Sequence, residues 1–214
     1  MKKHVELIFM DFDGTIADSI PAAVEAVQEM LKELGYPPKT KEEIGVFVGF
    51  GETPLISGSI GTNDPQKLEK AMQVYEKQVA KKFHKVKTYP NINEFLEYFK
   101  SKKKIVLSSK KDAFIHEILK LLGIDKYFIE VVGGDTAECL KPNPYMIHKL
   151  MEKYGAKSQE TLMIGDMTID METGKNAKIL TCGVSYGFDG REKLAKYSPD
   201  FLVDNILDLV DLTD

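Results

Sequence analysis

Short apolar runs alternate with amphipathic stretches along most of this 214-residue chain. The first run, Val5–Met10, is mostly apolar and rich in branched side chains, which is typical of a strand buried on both faces of a sheet. Similar runs predict strands at Lys104–Leu107, Phe128–Val132, Thr161–Ile164, Ile179–Val184 and, at an edge, Phe201–Val203. Helical periodicity predicts helices at Ile92–Phe99, Ala113–Leu122, Tyr145–Tyr154, Ile169–Asn176 and Ile206–Leu212. This alternation favours an α/β fold: a Rossmann-like parallel sheet with helices on both faces.

The part of the chain between residues 17 and 83 interrupts this alternation. Ala22–Leu34 is amphipathic and stops at Gly35, and Leu68–Phe83 has a second helical pattern. The stretch between them is rich in glycine and is expected to be mostly loop. We therefore expect a small helical cap domain, residues 17–83, inserted after the first strand. Residues 1–16 and 84–214 then form the α/β core.

Composition excludes several classes of protein. The chain is 43% hydrophobic and 29% charged, which is ordinary for a soluble globular protein, and its formal net charge is -4. This balance gives no reason to expect nucleic acid or a membrane as partner. The apolar run before Asp11 is too short for a signal peptide, so we expect a cytoplasmic protein. We expect it to be a monomer or a small homo-oligomer. The lysine run 102–104 is expected to be a solvated rim.

Residues capable of chemistry follow the predicted strands. Ligands of open α/β sheets bind outside the carboxyl ends of the strands, so the residues just past each strand are the candidates. These are Asp11-Phe12-Asp13-Gly14-Thr15 after the first strand, Ser108-Ser109-Lys110 after the second, Lys141 beyond the third, and Gly165-Asp166 with Asp170 after the fourth. Carboxylates, a hydroxyl and a lysine are thus expected at one edge.

This set is suited to phosphoryl transfer. Asp11 can attack phosphorus as a covalent nucleophile, and Asp13 can act as general acid and then as base for water. Asp11 and Asp166 are suitable ligands for Mg²⁺, which prefers carboxylate and phosphate oxygens. Lys141 adds positive charge, and Ser108 with the backbone N–H groups after Asp11 can bind phosphate oxygens. Gly14 permits a sharp turn close to the ligand.

The residues and the order of these motifs resemble those of the haloacid dehalogenase-like hydrolases, and within them those of the phosphoglycolate phosphatase-like group. The matching residues are Asp11-Phe12-Asp13-Gly14-Thr15-Ile16-Ala17-Asp18-Ser19, Ser108, Lys141-Pro142-Asn143-Pro144, and Gly165-Asp166 with Asp170. The resemblance covers nearly the whole chain. It departs at Met167, where the family usually has a small polar residue.

The resemblance implies a role for each matching residue. Asp11, Asp13, Ser108 and Lys141 are the expected catalytic residues. The expected Mg²⁺ ligands are Asp11, Asp166, the backbone carbonyl of Asp13, and Asp170 either directly or through a neighbour. The expected substrate contacts are Phe12, Gly14 and Ser109 in the core, with Gly51 and Glu52 in a cap loop. The expected substrate is a small phosphorylated metabolite.

Two related activities and one unrelated role compete with this interpretation. A β-phosphoglucomutase-like phosphosugar mutase would share the motifs, but such mutases hold a second phosphate with a cap arginine, and the one arginine of this chain is Arg191, outside the cap. An inorganic pyrophosphatase needs few cap contacts and is compatible with that absence. A non-catalytic binding module would be expected to lack part of the residue set, which is complete here. A dehalogenase would not need Asp13, since a halide leaves without a proton.

Overall fold

The structure, a computed structural model, describes residues 2–214, and its centre is a six-stranded sheet. The strands are β1 (Leu7–Met10), β2 (Ala17–Asp18), β3 (Lys87–Thr88), β4 (Lys103–Leu107), β5 (Glu130–Val132), β6 (Thr161–Gly165), β7 (Leu180–Val184) and β8 (Phe201–Val203). The sheet order is β5-β4-β1-β6-β7-β8, and every neighbouring pair in it is parallel. The expected α/β fold with a parallel sheet is confirmed, and β8 lies at an edge as predicted.

Both faces of this sheet are covered by helices, and alternate residues of β1 therefore pack into two separate apolar clusters, one on each face. Ile8 and Met10 belong to one apolar cluster, while Leu7 and Phe9 belong to the other. The helices are α1 (Ile20–Leu34), α2 (Lys41–Gly45), α3 (Glu52–Ile60), α4 (Pro65–Ala80), α5 (Ile92–Tyr98), α6 (Asp112–Leu122), α7 (Tyr145–Tyr154), α8 (Thr168–Asn176), α9 (Gly190–Ala195) and α10 (Leu209–Leu212). In the described chain, every helix is too short or too polar to cross a bilayer.

Helices α1 to α4 form one helical segment, residues 20–80, in which α1 packs against α4. Gly35 ends α1 in the left-handed conformation, and its N–H donates to the carbonyls of Leu31 and Lys32. The glycine-rich stretch was expected to be loop, but it contains α2 and α3. The Phe47 ring explains one of these glycines, because a Cβ on Gly58 would lie 2.4 Å from it. Glycine there permits helix packing and does not break the helix.

A short antiparallel ribbon joins the helical segment to the sheet. Strand β2, where the chain enters the segment, pairs with β3, where the chain leaves it. Each strand has two residues, which is too few for a readable period in the sequence. The ribbon lies close to the boundaries expected from the sequence.

The lysine run 102–104 is not a uniform solvated rim, and the expectation was wrong for Lys104. Lys103 is exposed at the start of β4, but Lys104 is 0% exposed. Its ammonium donates hydrogen bonds to the carbonyls of Phe99 and Lys102. The sheet is covered on both faces, and β4 is buried from its second residue onward, so the side chain of Lys104 is enclosed whichever face it points to.

Candidate active site

Three neighbouring strands bring the predicted residues together. Asp11 follows β1 at the centre of the sheet, Ser108 follows β4 on one side, and Asp166 follows β6 on the other. The Asp11 N–H donates to the carbonyl of Ile164 at 2.9 Å, which continues the ladder one residue beyond β1. Because parallel strands end at the same edge, the three side chains lie there, as expected.

Three buried carboxylates form a cluster at this edge. Asp11, Asp166 and Asp170 each offer an oxygen, and these atoms lie within 4.8 Å of one another. Lys141 Nζ lies 3.0 Å from Asp11 Oδ1 and 2.7 Å from Asp170 Oδ1. The cluster thus contains three carboxylates and one ammonium, which pairs with two of them, and this leaves negative charge that a divalent cation would balance. Buried carboxylate oxygens are also the ligands that hard divalent cations prefer, so the cluster fits such an ion.

Hydrogen bonds hold two of these carboxylates in place. Asp166 accepts from Thr15 Oγ1 at 2.7 Å and from the Phe188 N–H at 2.7 Å. Asp170 accepts from the Met167 N–H at 3.0 Å. Partners of this kind orient the ligands of a metal before it binds.

Gly14 forms the sharp turn expected after the first strand, and its contact with substrate stays a prediction. Its φ is +86°, and a Cβ there would lie 2.2 Å from Asp166 Oδ2. The turn therefore brings the backbone of the first motif directly against an expected metal ligand.

Burial and mutual repulsion shift the pKa values of the charged groups in the cluster. Burial raises the pKa of Asp11 to about 6, although Lys141 opposes the shift. Burial also raises the pKa of Asp166, and repulsion from Asp11 and Asp170 adds to it. Burial alone would lower the pKa of Lys141, but Asp11 and Asp170 raise it above its usual range. Binding a cation relieves the repulsion among the carboxylates.

The carboxylate of Asp13 lies apart from this cluster. Its Oδ1 accepts a hydrogen bond from Ser19 Oγ, and Lys110 Nζ lies 3.1 Å from Oδ1 and 3.2 Å from Oδ2. The side chain of Asp13 is thus outside the carboxylate cluster, and its role as general acid stays a prediction. That the backbone carbonyl of Asp13 binds metal stays a prediction.

A small cavity of about 30 Å³ lies between the sheet edge and the helical segment. Asp11, Asp13, Ser108 and Ser109 line it from the sheet side. Gly51, Glu52 and Tyr75 are among the residues that line it from the helical segment. The predicted substrate contacts Ser109, Gly51 and Glu52 are therefore at the cavity.

Phe12 and Glu52 differ in what they can offer to a ligand. The Phe12 side chain is fully buried in the apolar core, so only its backbone can contact a ligand. The Glu52 carboxylate accepts from the Lys111 N–H at 3.0 and 3.1 Å. Burial raises the pKa of Glu52, partly offset by Lys110.

The sequence reasoning placed Lys110 after a strand but gave it no role, and it missed two further features of this site. Lys110 and Tyr75 line the cavity, and Met167 contacts the loop before α3. A Cβ on Gly49 would lie 2.1 Å from Met167 Sδ, so this glycine makes room for the residue that departs from the family pattern. The position of Lys110 directly after Ser108-Ser109 was the signal available for it.

A family model described as haloacid dehalogenase-like hydrolase matches residues 8–184. The chain belongs to this family. It is 33% identical over 221 residues to a phosphoglycolate phosphatase of Vibrio parahaemolyticus, covering 99% of this chain and 97% of that one. It is 30% identical over 220 residues to a phosphoglycolate phosphatase of Vibrio cholerae, covering 98% and 97%.

Solved structures share the fold. A predicted phosphoglycolate phosphatase of Haemophilus somnus superposes with a TM-score of 0.92 at 24% identity, covering 98% of both chains. A haloacid dehalogenase-like family hydrolase of Streptococcus pneumoniae has a TM-score of 0.83 at 23% identity, covering 97% of both. The expected family and the expected enzyme class, a phosphatase, are confirmed.

Proposed function

We propose that this phosphatase is magnesium-dependent and transfers the phosphoryl group of a small metabolite first to Asp11 and then to water. The observation that carries the proposal is the position of Asp11. Its buried carboxylate lies between the carboxylate cluster with Lys141 on one side and the cavity with Asp13 on the other. The proposed nucleophile Asp11 therefore has a positive charge, from Lys141, on one side and the proposed proton donor Asp13 on the other.

The chain's own residues divide the reaction among them. Asp11 forms a bond to phosphorus while the bond to the leaving oxygen breaks, and Asp13 gives that oxygen a proton. Asp13 then takes a proton from the water that hydrolyses the aspartyl-phosphate. Ser108, Lys141 and the N–H of Phe12 bind the phosphoryl oxygens. Asp11, Asp166 and Asp170 would hold Mg²⁺, which supplies positive charge that offsets the repulsion between carboxylate and phosphate.

The helical segment is suited to the role of a cap. We take the cap as residues 17–83 and the core as residues 1–16 and 84–214. Gly49 packs on Met167 and Gly51 approaches the Ser109 carbonyl, so the loop before α3 meets the core on both sides of the cavity. Such a cover excludes water and selects the leaving group. The cytoplasmic location expected from the sequence stays a prediction.

The similar phosphatases of two Vibrio species are named for phosphoglycolate, which makes this compound the first substrate to test. The decisive experiment measures phosphate release from p-nitrophenyl phosphate and from a panel of phosphoglycolate, β-glucose 1-phosphate and pyrophosphate. We expect turnover with Mg²⁺, none with a chelator, and at least a ~1000-fold loss in Asp11→Asn.

Asp211→Asn is the matched control, because Asp211 is an exposed carboxylate far along the chain from the site. It should retain full activity. Full turnover by Asp11→Asn would disprove the assignment of the nucleophile. Conversion of β-glucose 1-phosphate to the 6-phosphate, or a preference for pyrophosphate, would replace the proposed substrate class.

A further inference from the structure

The cavity contains a buried lysine to which the reaction described above assigns no role. Lys110 follows β4 two residues after Ser108, and its side chain is only 5% exposed. Its ammonium pairs with Asp13. Among the described residues that line the cavity, Lys110 carries the one positive charge. Lys141 pairs instead with Asp11 and Asp170, the residues of the carboxylate cluster.

The two lysines therefore serve different parts of a bound substrate. Lys141 lies with the residues that receive the phosphoryl group. Lys110 lies with Asp13, which must contact the leaving oxygen. A buried ammonium is costly unless it keeps a partner of opposite charge. When Asp13 turns a carboxyl oxygen towards the leaving group, Lys110 needs a replacement for part of that pairing.

Distances limit where the replacement can be. The leaving oxygen must lie within about 3 Å of an Asp13 oxygen, and Lys110 Nζ is 3.1 Å from Oδ1. Lys110 is then within about 6 Å of the leaving oxygen. A carboxylate one or two carbons beyond that oxygen can accept a hydrogen bond from Lys110 at ordinary length.

The surroundings of Lys110 favour an anion of low charge. Lys110 is the one cation among the described residues that line the cavity, so the cavity offers the leaving half a single positive charge, which suits one carboxylate better than a doubly charged second phosphate. Glu52 lines the same cavity, but its carboxylate already has a partner in the Lys111 N–H. Burial of Glu52 raises its pKa, which favours the uncharged form next to an anion.

We propose that Lys110 binds a carboxylate on the leaving half of the substrate, so that the enzyme selects phosphate esters of short hydroxy acids. This inference rests on the proposed phosphatase function and names the residue that determines specificity within it. It also accounts for a cap without arginine: the cation that recognises the leaving half comes from the core.

The test compares two substrates of similar size in wild type and Lys110→Met. Phosphoglycolate carries a carboxylate on its leaving half, whereas 2-hydroxyethyl phosphate carries a neutral hydroxyl. We expect Lys110→Met to lose about 30-fold in kcat/KM for phosphoglycolate, mainly through KM, which corresponds to about 2 kcal/mol for a charged hydrogen bond. The loss for 2-hydroxyethyl phosphate should be less than about 3-fold. Lys110→Arg should keep the preference for the carboxylate.

Lys111→Met is the matched control, since Lys111 is the next residue and its ammonium pairs with Glu76 at 2.8 Å. It should leave the ratio of the two substrates unchanged. An equal loss for both substrates in Lys110→Met would overturn the proposal and assign Lys110 to positioning Asp13.

A measurement on the wild type keeps the proposal testable if Lys110→Met does not fold. Glycolate should inhibit hydrolysis of p-nitrophenyl phosphate at least about 10-fold more strongly than ethylene glycol does, and equal inhibition would overturn the proposal. A wild type that hydrolyses p-nitrophenyl phosphate without preferring phosphoglycolate over 2-hydroxyethyl phosphate would also overturn it. A wild type that hydrolyses none of the three would instead contradict the proposed function.

Discussion

Replacing Lys104 by methionine is expected to remove a pH dependence of stability that comes from one buried ammonium. Lys104 is 0% exposed in β4, and its ammonium is bound by the backbone carbonyls of Phe99 and Lys102. Burial lowers the pKa of Lys104 from 10.5 to about 8. Methionine has a similar length and carries no charge, so it fills the same space without this cost.

The direction of the effect follows from the two pKa values. Between pH 8 and 10.5 the unfolded chain holds the proton while the folded chain has lost it, so the free energy of unfolding rises with pH. From pH 7 to 9.5 these values give a gain of about 2 kcal/mol. Screening by water and the two carbonyl hydrogen bonds reduce this gain, so we expect about 1 to 2 kcal/mol.

Urea unfolding of wild type and Lys104→Met at pH 7 and 9.5 measures this gain. The other titrating groups are shared, so they cancel in the difference between the two proteins. Lys103→Met is the control, because Lys103 precedes Lys104 in the same strand and is exposed. It should follow the wild type at both pH values. A stability difference between wild type and Lys104→Met that stays constant to within about 0.5 kcal/mol would refute the reasoning.

Three further predictions concern the site. Asp166→Asn should raise the Mg²⁺ concentration for half-maximal hydrolysis of p-nitrophenyl phosphate by about 100-fold, since it removes a buried carboxylate ligand; an unchanged value would contradict the metal site. Mg²⁺ should raise the Tm more at pH 8 than at pH 5, because burial raises the pKa of Asp11 to about 6 and protons compete with the metal below it. Equal shifts in Tm would argue against Asp11 as a ligand. Gly49→Ala should lower the free energy of unfolding by about 1 to 3 kcal/mol, because φ is +89° and the new Cβ would meet Met167 Sδ. Adding Met167→Ala should recover part of that loss in urea unfolding, whereas strictly additive effects would exclude the contact.

Much of the fold and of the site could be predicted from local pattern. The strand before Asp11 is a continuous apolar run, and its neighbours in the sheet are similar, so a parallel sheet covered on both faces followed directly. Because parallel strands end at one edge, the meeting of Asp11, Ser108 and Asp166 needed no knowledge of side-chain packing. Helices α2 and α3 were harder to predict from the sequence, because glycine lowers helix propensity. The presence of Gly58 within α3 is explained by the Phe47 ring, which packs against it in the tertiary structure.

The sequence by itself determined the sheet and the position of Asp11, Asp166 and Asp170 at its edge, since these depend on periodicity and on positions next to strand ends. The tertiary structure decided the partner of each charge. Lys104 was expected in a solvated rim, and Lys110 was placed after a strand without a role. The first is fully buried, and the second pairs with Asp13 in the cavity. The physical reason is that burial and pairing of a charge depend on which segments pack over it. Segments such as α3 and α4 are far from β4 in sequence, and the hydrophobic periodicity of each segment does not predict that they pack together.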